Sequence, residues 1–157
     1  MSIQPGDNAP LFNLYDSDKN EVKLEDFHGK KVVLLFFPFA FTSTCTAELC
    51  SVRDEISYYD KLNASVLAIS VDSPHTLGRF KKEHNLNMTL LSDFNKEVSK
   101  NYGSLYESFS SMGLKGVSKR SAFVIDSKGV IRYAEVLEKA GELPDLATVK
   151  ETLKTIN

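Results

Sequence analysis

The chain has 157 residues, 42% of them hydrophobic and 25% charged, with a formal net charge of −2. Length and balance predict one domain over 1–157 with a full hydrophobic core. Mixed, near-neutral charge leaves no footprint for nucleic acid or an acidic membrane surface, and no apolar run approaches the roughly 20 residues of a membrane span.

The opening residues Met1 to Asp7 have neither the basic n-region nor the apolar h-region of a secretory signal, and two cysteines do not make a disulfide scaffold. A cytoplasmic protein with reduced thiols is expected. Residues 9–15 and 21–25 flank the polar cluster Asp16 to Asn20, which predicts a β-hairpin. Val32 to Phe37 is the most apolar run, bounded by Lys30-Lys31 and Pro38, and predicts a buried strand over 31–37. Cys45, Leu49, Val52, Ile56 and Tyr59 recur at helical spacing and predict a helix running to about Lys61, broken by Asn63. Ser65 to Val71 is a second continuous apolar run and predicts a central parallel strand. Ser73 before Pro74 opens a helix to about Glu83, with Leu77 and Phe80 on its inner face. A short strand is predicted over 88–91 and a short helix over 93–102, closed by Gly103. Leu105 to Lys119 is rich in Ser and Gly but holds Phe109, Met112 and Leu114, so a mobile loop beside the functional site or a partner surface is expected. Strands over 121–126 and 130–136 flank the turn Asp126-Ser127-Lys128-Gly129, and a last helix starts near Pro144-Asp145. This order predicts an α/β chain of thioredoxin-like fold, with a mixed central sheet, helices on both faces and an N-terminal β-hairpin extension.

The chemistry concentrates between Pro38 and Cys50. After the strand come Thr42, Ser43 and Thr44, any of which can cap a helix, so Cys45 lies in or just before a first helical turn. Free N–H groups and the positive end of the macrodipole favour an ionised thiol at such a place, and the thiolate is the reactive form. Thr42 can set a hydroxyl beside the sulfur, and Pro38 can shield it from bulk water. Each residue also has a plainer reading. A lone cysteine is ordinarily a small buried apolar residue. Thr42 would be a helix cap, Pro38 a strand terminator, Glu48 a helix-surface charge and Arg120 a solvated residue at a strand edge.

Pro38-x-x-x-Thr42-x-x-Cys45 resembles the active-site signature of the peroxiredoxins. The resemblance continues through Cys45-Thr46-Ala47-Glu48-Leu49-Cys50 and Arg53-Asp54. That stretch is similar to the bacterioferritin-comigratory-protein and peroxiredoxin Q branch, where a second cysteine follows the first by five residues. Ala9-Pro10-Leu11-Phe12 resembles the family's opening, and Arg120 to Asp126 its later arginine-led strand. The resemblance implies a peroxidase that reduces hydrogen peroxide and organic hydroperoxides. In it Cys45 would be the peroxidatic thiol and Cys50 the resolving one. Thr42 would bond the peroxide and the thiolate, Arg120 would stabilise the thiolate and polarise the peroxide, Pro38 would shield the site, and Glu48 would orient Arg120. A thioredoxin-like reductant, a monomer or homodimer, and a cycle without metal, haem or flavin are implied with it.

The spacing then makes a demand. Five residues along an intact helix separate Cα atoms by about 8.7 Å, beyond the roughly 7 Å reach of a disulfide. A bond within one chain would require the first turns to unwind. Two other classes remain open on the residues. A thioredoxin-like disulfide oxidoreductase would be expected to carry Cys-x-x-Cys, which is missing here. A redox sensor on the same fold would form the oxidised thiol without turnover. The Cys-x4-Cys pair lacks a second ligand pair for zinc, and His28, His75 and His84 have no metal-ligand spacing.

Overall fold

The computed structural model describes residues 3–156, so the domain limits at 1 and 157 and the first two residues of the leader reading lie outside it. Nine strands occur in chain order: β1 (Asn13–Asp16), β2 (Glu21–Lys23), β3 (Lys31–Phe36), β4 (Ala64–Ser70), β5 (Thr89–Ser92), β6 (Leu105–Tyr106), β7 (Val117–Ser118), β8 (Ser121–Ile125) and β9 (Ile131–Val136). Seven of them form one mixed sheet in the order β2-β1-β5-β4-β3-β8-β9. β3, β4 and β5 run parallel, while β1, β8 and β9 pair antiparallel with their neighbours.

β3 explains the layering. It is apolar at every position from Val32 onward, so both of its faces must be covered. Val33, Leu35 and Phe37 join one core with Cys45, Leu49, Leu77, Phe80, Val149 and Leu153. Val32, Leu34 and Phe36 join a second with Phe12, Val98, Tyr102 and Phe123. The first core is roofed by α1 (Ser43–Asp54), α2 (Ile56–Lys61), α3 (Pro74–Glu83) and α5 (Leu146–Thr155), and the second by the shorter α4 (Glu97–Asn101). Each large apolar side chain fully buried in this way stabilises the fold by about 1.5–3 kcal/mol. The mixed sheet, the helices on both faces and the added N-terminal hairpin are all present.

Four expectations need correction. The hairpin strands are shorter than 9–15 and 21–25, because Leu24–Phe27 turns into a 3-10 helix. The helix predicted to run to Lys61 breaks at Glu55, whose N–H donates to the Val52 carbonyl at 3.1 Å. No Gly or Pro marks that break in the sequence. The helix predicted from Asp93 begins only at Glu97, because the Asp93 carboxylate accepts from the Val98 and Ser99 N–H groups at 3.2 and 2.6 Å. Asp93 therefore acts as a cap from outside the helix, and Lys96 between them is left-handed at φ 68°. The stretch 105–119, expected as a loop, is a ribbon in which β6 pairs with β7 and Phe109 bridges to Leu114.

Candidate active site

The N–H of Phe37 still donates to the Ile69 carbonyl at 2.9 Å, and the chain leaves the sheet at Pro38, which lacks a donor. The loop then passes through Phe41 at φ 67°, a left-handed conformation that bulky side chains rarely hold. Ring packing and a backbone hydrogen bond hold it there, with His84 also against the Phe41 ring at 6.4 Å. The Phe41 ring packs edge-on against Phe80 at 5.1 Å, and the Ala40 N–H donates to Asp72 Oδ2 at 2.7 Å. Thr42 occupies the N-cap position of α1, but its hydroxyl does not cap the helix. Thr42 Oγ1 donates back to the Phe39 carbonyl at 3.0 Å instead. Its own carbonyl accepts from the Thr46 N–H at 2.9 Å and so begins the helix.

Cys45 is the third residue of α1 and is 1% exposed. Arg120, the residue before β8, is also 1% exposed. Its guanidinium is fixed from three sides. Arg120 Nη2 donates to Cys45 Sγ at 3.1 Å, Nη1 to Glu48 Oε1 at 2.7 Å, and Nε to the Ala140 carbonyl at 2.9 Å. Glu48 lies three residues after Cys45, hence on the same helix face. Burial pushes the Glu48 carboxyl up to about 7, with the charge and hydrogen bond of Arg120 opposing, and its Oε2 is buried without a hydrogen-bond partner. Burial would lower Arg120, but the thiol of Cys45 and the carboxyl of Glu48 outweigh it and hold the guanidinium above its ordinary value.

A cleft of about 190 Å³ opens onto this group, lined by Pro38, Thr42, Cys45, Phe109, Arg120 and Ala140. Five of the six residues singled out in the sequence, Pro38, Thr42, Cys45, Glu48 and Arg120, thus meet at one place. Cys50 stands apart. It is half-buried further along α1, packs against the helix-side core, and carries a free thiol, as Cys45 does. Arg53, which belongs to the resembling stretch, meets Asp54 Oδ1 at 3.0 Å and the His84 carbonyl at 2.6 Å, away from the cleft. Sequence reasoning missed the Ala140 carbonyl, since a main-chain acceptor leaves no residue signature. It also missed Asp72, which the helix-start motif at Ser73-Pro74 absorbed.

The AhpC/TSA family matches residues 5–134. The chain belongs to that family. It is 39% identical over 132 residues to peroxiredoxin Bcp of Escherichia coli, covering 83% of this chain and 84% of that one. It is 37% identical over 161 residues to peroxiredoxin-2 of Bos taurus, covering 96% and 76%. Among solved structures, peroxidoxin BcpB of Mycobacterium tuberculosis superposes with a TM-score of 0.86 at 27% identity, over 99% of both chains. The chain is a peroxiredoxin of the Bcp type, a thiol-dependent peroxidase acting on peroxides. Among the described residues no helix is long and apolar enough to cross a membrane.

Proposed function

We propose that Cys45 is the peroxidatic thiol, that Cys50 resolves it within the same chain, and that a thioredoxin-like dithiol protein recycles the enzyme. The observation that carries this reading is the 3.1 Å contact between Cys45 Sγ and a guanidinium sealed from solvent. A charge-assisted bond of that kind stabilises the thiolate over the thiol. The thiolate attacks the terminal oxygen of the hydroperoxide. The O–O bond breaks, the electron pair leaves on the other oxygen, the one that carries the hydrogen or organic group, and water or an alcohol departs after protonation. Cys45 is left as a sulfenic acid. Arg120 faces the charge that develops on the oxygens. Thr42 has its proton committed to Phe39, which leaves the hydroxyl lone pairs to accept from the peroxide O–H. Pro38 walls the cleft against water, and Glu48 holds the guanidinium in aim.

The Cys50 sulfur then attacks the sulfenic sulfur, the S–O bond breaks, water leaves, and a Cys45–Cys50 disulfide forms. Both residues belong to the unbroken helix α1, so the roughly 8.7 Å separation of that spacing has to shrink by unwinding of its first turns. Unwinding also carries Cys50 outward to where a dithiol reductant reaches it, and exchange restores both thiols. We place this cycle in the cytoplasm, in one domain spanning the chain, working as a monomer or homodimer.

Coupled peroxidase assays on Cys45→Ser and Cys50→Ser test the assignment. Cys45→Ser should lose peroxide reduction, while Cys50→Ser should still consume about one equivalent before stopping, the stoichiometry of an unresolved sulfenic acid. Rapid turnover by Cys45→Ser would sink the reading. Hydrogen exchange on both redox forms tests the unwinding: amides over 44–53 should exchange faster in the disulfide form, with β3 and β4 staying protected. Equal protection, or a Cys50 disulfide found only between two chains, would sink the intramolecular route.

A further inference from the structure

β3 and β4 are parallel neighbours, so the loops leaving their C-terminal ends lie side by side. The first is the active-site loop and the second holds Asp72. Asp72 Oδ2 accepts from the Ala40 N–H at 2.7 Å across that gap, 32 residues away in sequence. This hydrogen bond ties the loop backbone to the segment that follows β4. Aspartate 72 is itself clamped. The same Oδ2 accepts from the buried Ser70 hydroxyl at 2.7 Å, the Ser70 oxygen accepts from the Asp72 N–H at 3.2 Å, and the Asp72 carbonyl accepts from Ser92 Oγ at 2.6 Å. Ser70 closes β4 and Ser92 closes β5, so the carboxylate is held from β4 and the main chain of Asp72 from β5.

The tether meets the loop next to its strained residue. Ala40 precedes Phe41 at φ 67°, and it stands two residues from both Pro38 and Thr42. A strained conformation persists only where its surroundings over-determine it. Ring packing of Phe41 on Phe80 and His84 and the Asp72 bond to Ala40 supply that constraint here. We propose that Asp72 is a positioning residue for peroxide reduction: through the Ala40 N–H it holds the Pro38–Thr42 turn in the form that sets Cys45 against Arg120. The proposal rests on Cys45 being the thiol that meets peroxide. Loosening the turn displaces Pro38 and Thr42 from the cleft and slows the first step. It should not slow, and can hasten, the second, which needs α1 to open.

The test resolves the two half-reactions of the full chain by rapid mixing with hydrogen peroxide, followed by acid quench and mass spectrometry. Asp72→Ala should reduce the rate of sulfenic acid formation about tenfold, the change for one lost charge-assisted hydrogen bond, with disulfide formation as fast as wild type or faster. Asp72→Asn keeps an acceptor oxygen for the Ala40 N–H and should return to within about twofold of wild type. If Asp72→Ala does not fold, replacing the Ala40 amide by an ester, made by ligation at Thr44–Cys45, removes the N–H while weakening the Phe39 carbonyl that accepts from Thr42, and should slow the first step at least as much. A wild-type first step in Asp72→Ala or in the ester overturns the proposal. So does equal slowing in Asp72→Asn. Cys45→Ser run alongside separates the premises: if it still consumes peroxide, the reading of Cys45 fails; if it is inert and the tether variants are fast, only the role of Asp72 fails.

Discussion

β8 carries an arginine–carboxylate pair at each end, and the two are built to opposite standards. Before the strand, Arg120 and Glu48 meet at 2.7 Å with both side chains sealed from solvent. After it, Asp126 and Arg132 meet at 2.8 Å with the Arg132 side chain 49% exposed. Asp126 is fully served, accepting from the Lys128 and Val130 N–H groups at 2.9 Å as well. Burial would raise it, but the Val130 N–H and the other partners outweigh that and hold it below its ordinary value. Glu48 has one partner and a buried oxygen with none, and burial pushes it up to about 7. Folding alone favours the Asp126–Arg132 arrangement, since a buried charge with an unmet lone pair is costly. A chain that uses both on one strand keeps the poorer pair for a reason other than stability. On the proposed function, that reason is the thiol on the far side of the guanidinium.

The largest expected effect breaks the pair from the arginine side. Arg120→Met keeps much of the volume, removes the charge facing Cys45 and leaves Glu48 buried with no cation. The peroxide step should slow by a factor of about 10², the scale for one lost donor aimed at developing charge. Stability at neutral pH should also fall, by about 3–5 kcal/mol if Glu48 stays ionised. A variant with the wild-type rate would place Arg120 outside the chemistry, whatever it does for the fold.

The carboxylate side is best tested through pH. Glu48 sits at about 7 in the folded chain against an ordinary value of 4.5. The fold therefore prefers the protonated form. Its contribution to stability is complete below the unfolded value and is lost as pH rises through about 7. Glu48→Gln cannot titrate, so its melting temperature should gain on that of wild type as pH rises from about 4.5 to 7. A difference that stays flat across that window would show that Arg120 keeps Glu48 charged throughout.

The same contrast marks what the sequence discloses. The apolar runs at 32–37 and 65–71, the capping residue ahead of Pro74 and the turn Asp126 to Gly129 are local signals, and the elements built on them match the structure. The motif from Pro38 to Cys45 is local too, and Arg120 joined it through the family resemblance. What escaped depends on long-range partners. Helix α4 starts late because a carboxylate four residues upstream competes for its first N–H groups. The ribbon over 105–118 pairs two strands too short to show a pattern. The acceptors that fix Arg120 and Ala40 are a carbonyl at 140 and a side chain at 72, 20 and 32 residues away from the groups they hold.

The smallest effect belongs to the well-served end. Arg132→Ala removes one donor of three from Asp126 and leaves the two backbone N–H groups that shape the hairpin turn. An ion pair whose cation is half in water contributes about 0–1 kcal/mol. The loss in chemical denaturation should stay within that range. The acid side of the stability curve should keep its shape as well. A carboxyl held low in the folded chain contributes stability above its unfolded value and loses it as pH falls. Here the Val130 and Lys128 N–H groups continue to hold it low without the arginine. The rate of peroxide reduction should not change, because the Arg132 end shares no side chain with the cleft at Cys45. A loss well above about 1 kcal/mol, or a slower peroxide step, would mean that strain passes along β8 from one pair to the other. The two ends would then have to be treated as one device.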